Sequence, residues 1–277
     1  MKPLLTTLCL LCSVLGGSCA RHAETPKPLL VVITYQAWNN PIGSDSPIFA
    51  LYDDGTIICR LKSAHDEYPP AEKLFTTRKV ENPEKKAAQL LASSLADAKA
   101  YYALSGATDQ NLTVIWTPSK TVQIYGDWKT PRQFDSSWKE NPRLQGIVES
   151  ETDLWKSFPD EIRQALLRIE NENTIAGAPW LPEKIEVMFW PYEYAPEESI
   201  IWPKEWPSLS SKDTRRRGED SYSVFVPSQK FPELRTFLES RNPRGAVLID
   251  GKKMADAYRF PFPEEKLWQP KPQESSQ

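Results

Sequence analysis

The run from Ile48 to Leu61, Ile-Phe-Ala-Leu-Tyr-Asp-Asp-Gly-Thr-Ile-Ile-Cys-Arg-Leu, constrains the fold more than any other stretch of this chain. Two apolar segments rich in β-branched and aromatic residues flank Asp54-Gly55, a dipeptide that tolerates the positive φ demanded by a tight hairpin turn. A chain carrying this run is expected to build an antiparallel sheet. A two-residue type I′ turn at Asp54-Gly55 pairs Tyr52 with Ile57, Ala50 with Cys59 and Ile48 with Leu61. That register gathers those apolar side chains on one face and leaves Asp53, Thr56 and Arg60 on the other. Cys59 then sits among aliphatic neighbours with no cation beside it, as a core cysteine rather than a reactive thiol.

The rest of the chain reads in the same grammar. Leu29 to Tyr35 is a buried strand. Asn82-Pro83-Glu84 starts a helix, with Asn82 as N-cap, Pro83 at the first position and an apolar stripe of Ala87, Leu91, Leu95, Ala98 and Tyr102 ending near Gly106. Leu112 to Trp116 and Thr121 to Tyr125 form a hairpin across Pro118-Ser119. Residues 131–156 show no clean periodicity and are expected to connect two halves of similar size, 29–130 and 157–268. In the second half, Ser157-Phe158-Pro159-Asp160 looks like a capping box before a helix with Ile162, Leu166 and Ile169 inward. Lys184 to Trp190 and Tyr222 to Val226 read as strands, Pro232 to Ser240 as a helix, and Ala246 to Phe260 as strands around Asp250-Gly251. The fold class is therefore α+β, antiparallel sheets of hairpins with packed helices. Residues 269–277 are expected to form a disordered tail.

The first residues speak of location. Lys2, the uncharged run Leu4 to Val14 and the small residues Leu15-Gly16-Gly17-Ser18-Cys19 make residues 1–18 an expected export signal, with 19–28 as a tether. The Leu-Gly-Gly-Ser-Cys segment resembles a loose bacterial lipobox, which implies a lipoprotein acylated on Cys19 and held to the membrane through its N-terminal lipid. An ordinary cut after Ser18-Cys19-Ala20, giving a secreted or periplasmic protein, also fits. Cys9 and Cys12 leave with the signal in either case, so Cys59 remains alone and stability must come from the core. A net charge of −3 with both signs interspersed argues against nucleic acid as a partner.

Counting excludes much chemistry. The only histidines are His22, in the tether, and His65, in the polar stretch Lys62 to Tyr68, so zinc or copper centres, Ser-His-Asp triads and Cys-His dyads lack imidazoles in the numbers or contexts they need. No GxGxxG or GxxxxGK run occurs, and no cofactor or metal is expected. Asp53-Asp54, Glu193 and Glu197-Glu198 are nominal carboxylates for glycoside hydrolysis, but turn chemistry and a charged loop account for them. Arg215-Arg216-Arg217 is flanked by acids and reads as a solvated loop. No catalytic residue is assigned, and the chain is expected not to be an enzyme.

What stands out is aromatic content: ten tryptophans, concentrated in Pro179-Trp180-Leu181-Pro182, Trp190-Pro191-Tyr192-Glu193-Tyr194 and Trp202-Pro203-Lys204-Glu205-Trp206-Pro207. Prolines stiffen these segments, and indole and phenol faces anchor partner proteins or stack on sugar rings. Trp180, Trp190, Tyr192, Trp202 and Trp206 are the candidate partner-binding residues. The Asp54-Gly55 hairpin, the proline-started helix, the Trp-Pro segments and Tyr258-Arg259-Phe260-Pro261-Phe262-Pro263-Glu264-Glu265 resemble parts of uncharacterised exported bacterial proteins, a likeness that implies no activity. The hairpin, helix, hairpin order of the first half is similar in layout to small inhibitors of secreted metalloproteases. The expected function is thus a non-catalytic cell-envelope lipoprotein binding a macromolecular partner, an envelope protein or a glycan, through its Trp/Pro-rich loops. A carbohydrate-binding module and an inhibitor of an exported protease are the alternatives.

Overall fold

The computed structural model describes residues 25–38, 44–60, 75–92 and 94–269. The expected signal, Cys19, most of the tether, His22, His65, Leu61 and residues 270–277 of the expected tail lie outside them.

Two sheets carry the α+β fold. The first contains β1 (Pro28–Tyr35), β2 (Phe49–Tyr52), β3 (Thr56–Arg60), β4 (Phe75–Lys79), β5 (Tyr101–Ala103), β6 (Leu112–Trp116), β7 (Thr121–Tyr125) and β8 (Ala178–Trp180), in the order β5-β7-β6-β1-β2-β3-β4-β8. The second contains β9 (Lys184–Pro191), β10 (Ile200–Ile201), β11 (Arg215–Arg216), β12 (Tyr222–Pro227), β13 (Val247–Ile249) and β14 (Lys252–Arg259), in the order β10-β13-β14-β9-β12-β11. Among the described residues only β5–β7 and β10–β13 pair in parallel. The helices are α1 (Pro83–Leu91), α2 (Ser136–Glu140), α3 (Gln145–Lys156), α4 (Asp160–Glu172) and α5 (Phe231–Glu239).

The first sheet is buried on both faces, and its strands show it by alternation. Leu30, Val32, Phe49, Leu51, Ile57, Cys59 and Ile115 share one cluster with Leu90 of α1 and with Ile162, Leu166 and Ile169 of α4. Val31, Ile33, Ala50, Tyr52, Ile58 and Val114 face the other way, into a cluster with Ile185, Val187, Val224 and Met254 of the second sheet and Leu234 of α5. A strand buried on both faces needs a near-continuous apolar run, which is what Ile48 to Tyr52 supplies.

That burial corrects the hairpin. Phe49 pairs with Cys59, Ala50 with Ile58 and Leu51 with Ile57, one residue off the expected register. The turn is a three-residue loop, in which the Gly55 N–H donates to Tyr52 O (3.0 Å) and Gly55 takes φ +81°. Asp54 stabilises the loop by accepting from Thr56 N (2.9 Å) and from Lys79 Nζ (2.6 Å). The two-residue turn occurs instead at Asp250-Gly251, where both residues have positive φ, 49° and 79°, between Ile249 and Lys252. The two glycines should respond differently to a methyl group. At Gly55 a Cβ would stand 2.1 Å from Val80 O, whereas at Gly251 nothing lies within 4 Å. Gly55→Ala is expected to cost more than about 2 kcal/mol and Gly251→Ala about 1 kcal/mol, measured by urea unfolding.

Other boundaries also move. α1 starts at Pro83 with Asn82 as N-cap, although Asn82 makes no side-chain cap bond, and it stops at Leu91. The rest of the expected stripe still reaches the core by another route: Leu95 follows a turn, and Tyr102 lies on β5 with its ring edge-on to Phe158 at 5.3 Å. Residues 131–156 hold α2 and α3 rather than a featureless connector. Ser157 caps the end of α3, and α4 begins after Pro159 without a side-chain cap. Residues placed in the second half by sequence, α4 and β8, pack on or pair with the first sheet. Cys59 is fully buried as expected, yet Arg78 Nη1 lies 3.4 Å from its Sγ, correcting the absence of a neighbouring cation.

Candidate functional site

After α4 the chain returns to the first sheet as β8, an edge strand whose Pro179 suits a position where an N–H is not needed on both sides. Trp180 lies opposite Phe75 of β4, with their rings edge-on at 5.9 Å. The chain then passes through Leu181 and Pro182 into β9 and the second sheet. The segment following β14 comes back over this crossing, placing the Phe262 ring 4.9 Å from Trp180 and 5.3 Å from Phe75. The result is a groove of about 370 Å³ at the seam between the sheets, lined chiefly by Trp180, Leu181, Pro182, Phe225, Pro261 and Pro263.

A buried ionic network fixes one wall of this groove. Arg259, opposite Glu186 on the neighbouring strand, pairs with it at 2.5 Å and donates twice to Glu265, at 2.8 and 2.7 Å. Glu265 also accepts from Phe262 N (3.2 Å), and Tyr52 Oη donates to Pro263 O (3.2 Å). Pro261 to Pro263 are thereby clipped to both sheets. Burial lowers the basicity of the Arg259 guanidinium, but Glu265 and Glu186 outweigh it and hold the group charged. Burial also pushes the nearby Tyr35 phenol up to about 12, with Asp45 and Glu265 adding and Arg259 opposing. The Arg259 guanidinium therefore stays charged and the Tyr35 phenol neutral across the neutral range.

Across Phe225 lies a second cavity of about 510 Å³, lined by Glu205, Pro207, Lys212, Asp213, Pro227 and Lys230 among others. The exposed Lys184–Asp213 pair, 2.9 Å apart, links the two: Lys184 lines the first and Asp213 the second. The Arg215 guanidinium covers the Phe225 ring at 5.0 Å.

The five sequence-level candidates do not form one site. Trp180 lines the groove. Trp190 is half-buried opposite Ala255, and Tyr192 packs edge-on against Tyr194 at 5.0 Å; neither lines either cavity. Trp202 and Trp206 are core residues, 5% and 7% exposed, stacked edge-on at 5.0 Å with Phe237 and Phe189 around them. Trp202 donates its indole N–H to Pro207 O (2.9 Å), so the proline loop wraps that ring inward, while Trp206, though buried, lines the second cavity. Sequence reasoning missed Phe225, Pro261 and Pro263. The Phe-Pro-Phe-Pro run was visible, but nothing in it shows which strand it folds across.

Three of the nominal catalytic carboxylates, Asp53, Asp54 and Glu197, have structural partners. Asp53 accepts from Lys27 N (2.9 Å), Asp54 is held by Thr56 and Lys79, and Glu197 accepts from Arg244 N (3.0 Å) and Nε (3.1 Å). The arginine run is likewise engaged: Arg216 bonds the carbonyls of Gly218 and Glu219, and Arg217 reaches Glu186 at 3.3 Å. Among the described residues no group of three or more His, Cys, Asp or Glu could hold a metal ion, and no helix is long and apolar enough to cross a membrane. Comparison with protein-family models, curated proteins and solved structures finds no match to this chain.

Proposed function

We propose that this chain is a non-catalytic, lipid-tethered protein of the bacterial cell envelope that binds a partner polypeptide in the groove beside Trp180. The observation carrying this reading is the groove itself, where an indole edge, a half-exposed leucine and three prolines line a concave surface on a rigid seam. Aromatic and apolar side chains on fixed backbone are the composition of binding hot spots. The absence of catalysis rests on the residues counted above: Asp53, Asp54 and Glu197 are engaged in holding turns and loops. The tether rests on the leader and Cys19, and mass spectrometry of the mature N-terminus is expected to find a diacylated cysteine there.

A photoreactive amino acid at Leu181, which is 45% exposed on the rim, tests the groove in native envelopes. A discrete crosslinked partner is expected. It should disappear when Trp180→Ala is added, while the same probe at exposed Lys139 gives none. An adduct that persists unchanged in the Trp180→Ala protein would remove the groove from the account.

A further inference from the structure

We propose that the contact between Asp256 and Arg241 is an acid-sensitive latch, which holds the turn after α5 against β14 while the carboxylate is charged and releases it when the carboxylate takes up a proton. Asp256 lies on the face of β14 that packs under α5. It stands opposite Phe189 of β9, and its same-face neighbours Met254 and Val187 share a cluster with Leu234 of α5. The Asp256 side chain is 5% exposed, against 20% for Arg241. Arg241 Nε stands 2.9 Å from Asp256 Oδ1, but the two are out of line for a hydrogen bond, and Oδ1 is buried without one. An apolar site with one misaligned cation disfavours a charged carboxylate. Desolvation outweighs the attraction of Arg241 and holds the Asp256 carboxyl above the ordinary aspartate value.

The same guanidinium pins the turn. Its Nη1 donates to Gly245 O (2.8 Å) and reaches Asn242 O (3.2 Å) and Pro243 O (3.5 Å). Once Asp256 is neutral, Arg241 is a charge beside an apolar face with no counter-ion, and its part-exposed side chain turns to water and takes these bonds with it. No other charge replaces it. Of the charged residues on α5, Glu233 pairs with Lys230 at 2.9 Å and Arg235 with Glu239 at 3.5 Å, while Val187, Phe189, Met254 and Tyr258 flank Asp256 on β9 and β14. Arg241 is the one charged group that shifts Asp256. At the adjoining loop the sign is opposite: bonds from Arg244 hold the Glu197 carboxyl below its ordinary value, so that pair survives acid that neutralises Asp256. Gly245 also packs so closely on Glu198 that a Cβ would stand 2.5 Å from Glu198 O. The turn and the Glu197-Glu198 loop are therefore released from β14 together. The folded chain binds this proton more readily than the unfolded chain, so the contribution of Asp256 to stability rises as pH falls towards the ordinary aspartate value of about 3.9. Acid opens the latch without weakening the fold through this group.

Amide hydrogen exchange of the intact protein, followed across about pH 4 to 8 and corrected for the intrinsic rate of each amide, tests the latch. The reporter is Gly245 N–H, which donates to Asn242 O (2.8 Å) within the turn. Its protection is expected to fall at least about tenfold in a single step centred above the ordinary aspartate range, with Val187 of β9 unchanged. Asp256→Asn is expected to show the acid level of protection at every pH, with a urea midpoint at neutral pH no lower than that of the parent protein. Arg241→Gln should also lack the step. It keeps the buried carboxylate without its cation, so its midpoint is expected below the parent's at the top of the range and to approach it on acidification. Gly245 protection that stays constant across the range, or a step that persists in Asp256→Asn, overturns the latch.

Discussion

Arg259→Ala is expected to destabilise the fold by about 3–5 kcal/mol, read as a drop in the urea midpoint. Arg259 is 7% exposed and answers two carboxylates at once, Glu186 and Glu265. Removing it leaves Glu186 buried beside Ser223, with Arg217 3.3 Å away as the remaining cation. A buried carboxylate left with a single, longer ion pair is costlier than the pair it lost was favourable, so the loss exceeds the worth of the salt bridge. The effect should also be local to the seam. Without the two bonds from Arg259, Glu265 no longer fixes Phe262 N, and the Pro261 to Pro263 wall loosens. Glu265→Gln keeps one acceptor for Arg259 and leaves Glu186 paired, so it is expected to cost less stability while still weakening partner binding. Equal stability losses for Arg259→Ala and a surface control such as Lys139→Ala would contradict the network.

Trp202→Ala is expected to cost a similar amount, about 3–5 kcal/mol, through cavity formation. Its ring meets Phe189 at 5.2 Å, Trp206 at 5.0 Å and Phe237 at 5.6 Å, so deletion strips one member from a four-ring cluster. The lost indole N–H also frees the Pro207 carbonyl and the loop it anchors. The contrast with Trp180→Ala is the informative part. Trp180 packs on Phe75 and Phe262 but has one side on the groove, so its removal should reduce binding more than stability. Trp202→Phe, which keeps most of the packing, is expected to recover much of the stability and to bind the partner normally. Unchanged stability in Trp202→Ala would mean the ring is not in the core.

Why these tryptophans differ was only partly legible. Trp180 and Trp202 both sit beside proline in the sequence, and proline stiffens a loop without saying which way the neighbouring ring points. Orientation is set by strand alternation. Trp202 N donates to Leu248 O, which extends the β10–β13 pairing by one residue, so Ile201 turns outward at 69% exposure and Trp202 turns in. A two-residue strand is too short to announce that by periodicity. The hairpin register failed for a related reason. Period-2 logic assigns one face to the core, but Ile48 to Tyr52 is apolar on both, and only the sandwiching of the first sheet between helices and a second sheet uses both. α3 escaped notice because its one buried side chain is Glu151, whose Oε1 accepts from Gly106 N at 2.5 Å, an anchor that no apolar stripe reveals.

What the sequence did reveal follows from strong local signals. Pro83 at the first helical position, the Pro118-Ser119 hairpin, the strands β9 and β12, α5 and the Asp250-Gly251 turn lie where turn chemistry and periodicity put them. The groove could not be read this way. It is assembled from β8, β12 and the segment after β14, three pieces far apart in sequence and brought together only by the pairing of β4 with β8 and by the Arg259 clip.

Oxidative footprinting of individual tryptophans, in the purified protein and in native envelopes, tests the central claim most directly, because it reports on every indole in the folded protein at once. Trp38, 79% exposed, should oxidise fastest, Trp180 at an intermediate rate, and Trp202 and Trp206 slowest. In native envelopes the bound partner should protect Trp180 while leaving Trp38 unchanged. Oxidation of Trp202 and Trp206 as fast as Trp38, or a Trp180 rate no slower in native envelopes than in the purified protein, would contradict the account.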